Sequence, residues 1–217
     1  MTDGDILTIE EVAKYLRVSE RTVYDWAQKG EIPAGKIGAI WRFKRIDIEQ
    51  WVNDRLSAKP PKPVAVHVET IISPDRIIFL DYSTKRDALS ALADNLALAP
   101  QVKNRQELAS EILKREDLMS TAIGKGIAIP HVRLASVTDL VVSVGISRVG
   151  IIDFQALDDE PVRLLFMIAA CYNQHTYYLQ TLSFFSNRFR DRRLRDELLA
   201  VETTRQAYSL LTSMPSA

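Results

Sequence analysis

From residue 9 the chain places Val12, Ala13 and Leu16 at helical spacing, behind a Thr8–Glu11 pair that reads as a capping box for the first turn. Arg17 and Val18 lead into Ser19, a good N-cap. Val23 and Trp26 then form the buried stripe of a second helix, which leaves Arg21, Thr22, Asp25 and Gln28 on other sides and ends at Gly30. After Pro33 the period changes. Lys36-Ile37 and Ile40-Trp41-Arg42-Phe43 flank Gly38-Ala39, which predicts a small hairpin, and Asp47 opens a third helix with Ile48, Trp51 and Val52 inward.

A different pattern follows residue 74. Arg76-Ile77-Ile78-Phe79-Leu80 is a short apolar run. Residues 85–96 repeat apolar positions at helical spacing (Ala88, Leu89, Leu92, Leu96), and residues 106–114 do so again. Branched residues then cluster in three predicted strands, 141–146, 151–154 and 162–168, before helical patterns return at 179–189 and 196–211. Strands lying among helices predict an α/β domain in which helices cover a mixed sheet. Between the two patterns stands Ser57-Ala58-Lys59-Pro60-Pro61-Lys62-Pro63, whose prolines remove amide donors and favour an extended linker. Residues 64–72 alternate weakly and read either as a short strand or as more linker. The expected organisation is a small, mainly helical domain over 1–58, a linker over 59–73 and an α/β domain over 74–217.

Composition narrows the classes. Of 217 residues, 47% are hydrophobic and 26% charged, and 28 Lys+Arg balance 28 Asp+Glu to a net charge of +0, the profile of a soluble globular protein. The single cysteine, Cys171, ends an apolar run and predicts a buried, reduced thiol; with no secretory or membrane-spanning stretch, the expected location is the cytoplasm, away from membrane. Net neutrality conceals a local excess. Between Val12 and Arg45 stand eight basic residues against three acids, a net of +5, the kind of footprint that nucleic-acid binders carry.

The first 56 residues therefore read as a helix-turn-helix with a wing. Leu7-Thr8-Ile9-Glu10-Glu11-Val12-Ala13, Val18-Ser19-Glu20-Arg21-Thr22-Val23 and Trp41-Arg42-Phe43 before Asp47 resemble the excisionase and MerR-like winged helix-turn-helix modules over residues 6–56. The resemblance implies a second helix in the major groove, with Arg21, Thr22 and Tyr24 near DNA, and Lys36 and Arg42 on the wing at phosphate or minor groove. One such module makes few phosphate contacts, so useful affinity calls for a homodimer on two half-sites. The competing reading is a solvated charged face that holds a protein partner. Trp26 and Trp51 read as core and not as base-stacking rings, while Trp41 fits either.

The most informative stretch of the larger domain is Leu118-Met119-Ser120-Thr121-Ala122-Ile123-Gly124-Lys125-Gly126-Ile127-Ala128-Ile129-Pro130-His131-Val132-Arg133. Gly124 and Gly126 near the hydroxyls of Ser120 and Thr121 let backbone amides approach an anion. His131 follows a proline that fixes the chain, and a neutral imidazole held in one tautomer is a competent nucleophile toward phosphorus. On the residues alone, a structural histidine and a catalytic one both remain open.

This stretch looks like the phosphorylation motif of the type-2 IIA domains of the phosphoenolpyruvate-dependent sugar phosphotransferase system, the fructose, mannitol and nitrogen-regulatory group. Arg115-Glu116 upstream, and Ile152-Asp153-Phe154-Gln155-Ala156-Leu157-Asp158 with Pro161-Val162 downstream, extend the similarity over about residues 74–213. The resemblance implies that His131 accepts phosphate from a small phosphohistidine carrier protein, that Arg115 contacts the phosphoryl group, and that Ser120 and Thr121 donate hydroxyls. It implies a phosphoryl carrier without independent turnover and without a cofactor. Where that family has a second histidine, before a Leu-x-x-Leu segment, this chain has Tyr178 before Leu179-Gln180-Thr181-Leu182, with His175 three residues earlier; both are candidates for its place. Asp159 stands where the family has glycine after Asp158, and it tolerates the left-handed turn expected there. His67 reads as a surface residue, no metal-ligand spacing is present, and Arg188 to Arg195 read as a solvated helix face or as a contact for an acidic carrier.

The combination implies a regulator in which phosphorylation of His131 controls DNA binding and transcription. A phosphotransfer intermediate that serves a separate sugar permease component, and an unphosphorylated docking or sensor protein with a regulatory partner, are the alternatives.

Overall fold

The computed structural model describes residues 6–56, 66–156 and 158–213, so the expected proline-rich linker at 57–63 lies outside the described residues. The chain divides into two units, Met1–Pro63 and Val64–Ala217.

In the first unit a short strand β1 (Ile6–Leu7) precedes helix α1 (Ile9–Leu16) and helix α2 (Glu20–Lys29). The Thr8–Glu11 capping box is formed, Arg17 closes α1 in the left-handed conformation, and Ser19 caps α2 by accepting from the Thr22 amide. Strands β2 (Gly35–Ile37) and β3 (Ile40–Lys44) make the expected hairpin, with Gly38 at φ 65° in its turn. Helix α3 (Arg45–Leu56) starts two residues before the expected Asp47. Leu7, Val12, Val23, Phe43 and Ile48 form the core, and all three tryptophans pack partly buried against it. The one element that the pattern did not announce is β1, which pairs antiparallel with β3 and makes the hairpin a three-stranded sheet.

In the second unit, residues 64–72 contain a helical turn, α4 (Val68–Ile71), and Val66, Val68, Ile71 and Ile72 are buried in the core. Strand β4 (Ile77–Phe79), helix α5 (Lys85–Leu96) and helix α6 (Arg105–Leu118) follow. Three very short strands come next, β5 (Ala122–Gly124), β6 (Ile127–Ala128) and β7 (His131–Arg133), then the long pair β8 (Val141–Ile151) and β9 (Val162–Ala170). Helices α7 (His175–Arg188), α8 (Arg192–Ala200) and α9 (Thr204–Thr212) complete the unit.

The sheet runs β4-β8-β9-β6-β5, and β7 also pairs with β9. It is mixed: β8 is antiparallel to β9, while β4 lies parallel to β8, and β6 and β7 parallel to β9. Helices cover both faces. Along β9, Leu164, Phe166 and Ile168 enter the core under α4 and α7–α9, whereas Leu165, Met167 and Ala169 enter the one under α5 and α6. That double burial explains why β9 reads as an unbroken apolar run.

Three expectations need correction. The strands 141–146 and 151–154 are one strand, β8, which ends at Ile151; its register shifts between Ile146 and Ile151, where Gly150 takes φ 82° against Pro161. The expected helix over 196–211 is two helices, because the extended Val201 closes α8 and Thr203 starts α9 with its own capping box. Cys171 is half-buried at the end of β9, not fully buried, and it opens the turn that leads into α7.

Helix α7 is anchored by an aromatic cluster. Phe166 of β9 lies 4.7 Å from Phe185 and 4.5 Å from Phe189, centroid to centroid, and Phe184 meets Phe185 edge-on. Phe185 is fully buried. Phe185→Ala should lower the unfolding free energy by about 3–5 kcal/mol, measured by urea denaturation; a loss below about 1 kcal/mol would show that the site closes over the deletion or that α7 is held elsewhere.

Candidate functional site

Strands β6 and β7 lie along the same edge of β9, and Pro130 stands between them. β6 pairs with Leu164 and Leu165, β7 with Ile168 to Ala170, and the Pro130 carbonyl accepts from the Ile168 amide at 2.8 Å. Proline has no amide to donate, so the ladder is interrupted there and resumes at His131. Val132 faces the α5–α6 core, so by strand alternation His131 and Arg133 share the opposite face.

His131 is held at both ring nitrogens. Nδ1 lies 2.6 Å from the Ile129 carbonyl oxygen. A carbonyl only accepts, so Nδ1 carries the hydrogen and Nε2 keeps a free lone pair. Nη2 of Arg115 donates toward that Nε2 at 3.4 Å, while Nη1 of Arg115 donates to the Met119 carbonyl at 2.9 Å. Burial holds the imidazole below its ordinary pKa; the bond to Ile129 opposes this, and the Arg115 charge adds to it. The ring is therefore neutral at neutral pH, with its nucleophilic nitrogen beside a guanidinium.

Tyr178 meets His131 edge-on, with centroids 5.9 Å apart, and Arg133 sits over the tyrosine ring at 5.7 Å. Burial pushes the phenol up to about 12, against the opposing pull of Arg133 and Arg115, so it stays a protonated donor. His175 opens α7 one turn earlier and is exposed.

The residues expected to cradle phosphate are arranged differently. Thr121 is buried, and both its amide (3.0 Å) and its hydroxyl (2.6 Å) donate to Oε2 of Glu116, so its one hydroxyl proton is already committed. Ser120 is half-buried, and its oxygen accepts from the Ala122 amide at 3.3 Å. Gly124, Lys125 and Gly126 all take positive φ to turn β5 into β6. That turn is pinned from below: the Lys125 amide donates to Asp158 at 2.6 Å, which keeps this carboxylate below its usual range. A side chain at Gly124 would strike the Asp158 carboxylate at 2.8 Å. The two glycines thus serve the hairpin and its contact with Asp158, and Asp159 takes the left-handed conformation at φ 56°.

Sequence alone gives Glu116 no role. It stands among the charges of α6, and it is 3% exposed. Its one sequence signal is its place beside Arg115. Arg133, at the end of the histidine stretch, likewise has no signal of its own.

In the first unit, Arg21, Tyr24 and Lys36 are exposed, with Lys36 4.7 Å over the Trp41 ring. Thr22 is half-buried, and its hydroxyl is engaged with the Ser19 hydroxyl in the helix cap. Arg42 is half-buried and donates to the Trp41 carbonyl at 3.0 Å. Trp51 donates to the Glu31 carbonyl and packs at 5.5 Å from Trp26, which makes both tryptophans structural. His67 is exposed and pairs with Glu69 at 3.2 Å. Among the described residues no group of three or more His, Cys, Asp or Glu side chains is placed to hold a metal, and no helix is long and apolar enough to cross a membrane.

The site is a histidine held by a backbone carbonyl, its other ring nitrogen beside an arginine, at the edge of a mixed sheet covered by helices. Residues 70–214 match the family described as the phosphoenolpyruvate-dependent sugar phosphotransferase system, EIIA 2, and the chain belongs to that family. Residues 6–56 match the helix-turn-helix domain family. The fructose-specific EIIA component of Haloferax volcanii is 33% identical over 145 residues, 66% of this chain and 94% of that protein. The nitrogen regulatory protein of Escherichia coli is 35% identical over 133 residues, 59% of this chain and 78% of that one. The match to the fructose-specific EIIABC component of Bacillus subtilis, 35% identical over 57% of this chain, spans 19% of that larger protein. In fold, the crystal structure of nitrogen regulatory protein IIA-Ntr from Neisseria meningitidis superposes with a TM-score of 0.60 at 24% identity, covering 67% of this chain and 98% of that one.

The desolvated His131 makes stability pH-dependent in a stated direction. Its folded pKa lies below the ordinary value near 6.5, so the unfolded chain binds more protons between the two values. The stability contributed by the neutral ring is complete above pH ~6.5 and is lost as pH falls through the folded value. On acidification from about pH 7.5 to about pH 5 the wild type should lose more Tm than His131→Gln. Parallel Tm curves for the two proteins would show that the ring titrates as an exposed one does.

Proposed function

We propose that the protein is a phosphorylation-controlled, DNA-binding regulator: His131 accepts a phosphoryl group from a phosphohistidine carrier protein, and the helix-turn-helix unit reads DNA as a homodimer on two half-sites. The observation that carries the reading is the Nδ1–H tautomer of His131, with Nε2 unprotonated and facing Arg115. In the transfer the N–P bond of the carrier breaks as the Nε2 lone pair forms a new N–P bond. Nε2 has no proton to shed, and Nδ1 keeps its hydrogen on the Ile129 carbonyl. Arg115 meets the added negative charge with a second guanidinium nitrogen anchored on Met119. Tyr178, protonated and edge-on to the ring, stands in place of a second histidine. Relatives named as fructose-specific and nitrogen regulatory proteins support the phosphotransfer half, and the helix-turn-helix match with the +5 excess between Val12 and Arg45 supports the DNA half.

Incubation with phosphoenolpyruvate, the general phosphotransferase enzyme and its histidine carrier should add one phosphate to the wild type by intact mass and none to His131→Ala. Arg115→Ala, which removes a charged hydrogen bond, should slow acceptance roughly 10–100-fold. A wild type that gains no phosphate from a verified carrier overturns the acceptor role and leaves a docking or sensor protein. Rapid onward loss to a sugar-specific partner, with DNA binding unchanged, instead marks a phosphotransfer intermediate.

For the DNA half, Arg21→Ala and Lys36→Ala remove exposed cations that take no part in the core. Each should weaken binding at moderate salt and lower the slope of log affinity against log salt by about 0.9 for every DNA phosphate that is no longer neutralised. An unchanged affinity and slope would place the interface elsewhere.

A further inference from the structure

A buried carboxylate lies directly behind the His131 site, and no step of phosphoryl acceptance uses it. Glu116 is 3% exposed. Its Oε2 accepts two hydrogen bonds from Thr121, at 3.0 Å from the amide and 2.6 Å from the hydroxyl. Its Oε1 has no hydrogen-bond partner and lies 3.7 Å from Nζ of Lys85. A buried carboxylate is costly unless it is paired and bonded, so an arrangement of this kind is retained where it fixes geometry.

The geometry it fixes runs to both sides of the phosphoryl acceptor. On one side, the carbonyl of Thr121 accepts the Ile129 amide at 3.0 Å, and the carbonyl of Ile129 accepts Nδ1–H of His131 at 2.6 Å. On the other side, Glu116 is the next residue after Arg115 in the last turn of α6, so the same carboxylate that grips Thr121 also ties down the helix that presents the guanidinium. Lys85 adds a third element. Its amide donates to Asp153 at 2.6 Å, at the start of α5, and its ammonium lies 5.6 Å over Phe154 and faces Glu116. Helix α6, the residue before β5 and the start of α5 thus meet at one carboxylate, and Lys85 links it to the segment after β8.

We propose that Glu116 is a positioning residue for phosphoryl acceptance: through Thr121 and Ile129 it sets the tautomer and the place of His131, while holding Arg115 opposite Nε2. This rests on the reading of His131 as the acceptor, but its core claim concerns the unphosphorylated ring. Displacement of a reacting group by about 1 Å costs on the order of 100-fold in rate, so a carboxylate that never touches the phosphoryl group can govern the transfer.

The test uses the full-length chain and four variants, Glu116→Gln, Glu116→Ala, Thr121→Val and Thr121→Ser. Glutamine keeps an oxygen acceptor for Thr121 and removes the charge; serine keeps the hydroxyl. Two quantities are read: the nitrogen chemical shifts of His131, which report the Nδ1–H tautomer without any phosphate, and the rate of phosphoryl acceptance from the carrier. Glu116→Ala and Thr121→Val should mix the tautomers and slow acceptance roughly 10–100-fold. Glu116→Gln and Thr121→Ser should keep the wild-type tautomer and stay within about 3-fold of the wild-type rate. If Glu116→Ala does not fold, Thr121→Val carries the same comparison. A wild-type tautomer and rate in the folded Ala or Val variant would overturn the proposal, and so would an equal loss in Gln and Ala, which would make the charge the agent and not the hydrogen bonds. If the wild type accepts no phosphate, the function above fails; the tautomer measurement still decides the role of Glu116.

Discussion

A single hydrogen bond, from Nδ1 of His131 to the carbonyl of Ile129 at 2.6 Å, decides what the larger unit can do. Without it the imidazole would exchange between tautomers, and part of its population would present a hydrogen where an electron pair is needed. With it, Nε2 is committed as the open nitrogen before any partner arrives. Burial reinforces this by disfavouring the imidazolium, and the neighbouring Arg115 guanidinium does the same by charge repulsion. The arginine that disfavours a second proton on the ring is also the cation that a phosphoryl group on Nε2 would meet.

That bond lies at the place where the sheet edge breaks. β6 and β7 form one interrupted edge on β9, and Pro130 is the interruption: it gives up one ladder bond and keeps the other through its carbonyl to Ile168. Ile129 faces away from β9, where its amide donates to the Thr121 carbonyl at 3.0 Å and its carbonyl accepts the His131 ring. Behind the edge, β9 is packed on both faces, so its partners are fixed by two cores and not by local preference. The phenylalanine cluster on the α7 side places Tyr178 against the imidazole, and α6 on the other side delivers Arg115.

Much of this was legible in the sequence where the signal is local. The capping box at Thr8 and Glu11, the Ser19 cap, the Gly30 stop and the span of α5 follow from residues within one turn of each other. The helix-turn-helix and the phosphorylation motif carried enough residue-by-residue likeness to name both families. The strands β5, β6 and β7 did not show, because each has only two or three residues and Gly124, Lys125, Gly126 and Pro130 break every alternation; their existence depends on β9, more than thirty residues later. β8 read as two strands since Arg148 and Val149 are exposed at its bulge. Thr121 read as a free hydroxyl, and Glu116 went unread, for one reason: a carboxylate on a charged helix looks solvated until a distant segment covers it. The departure at Tyr178 was visible, but only the fold shows that the tyrosine ring meets His131 edge-on.

A phosphoryl group on Nε2 would bring about 1.5 to 2 negative charges, and at physiological ionic strength their influence decays over ~8 Å. Arg115 has its Nη2 3.4 Å from Nε2, and Arg133 lies over the Tyr178 ring that meets the imidazole. Each is also bonded to a carbonyl of an exposed segment, Arg115 to Met119 and Arg133 to Tyr172. Met119 is 70% exposed, its neighbour Leu118 83%, and Tyr172 50%. A phosphoryl charge at the ring would act on two guanidiniums that are each bonded to exposed, partly apolar surface. An effect on a distant site needs a partner or a second unit that distinguishes the two surfaces, since coupling is never larger than the difference in contacts that the two states make. The long-range field of the protein, which is neutral overall, is too strongly screened to do this alone.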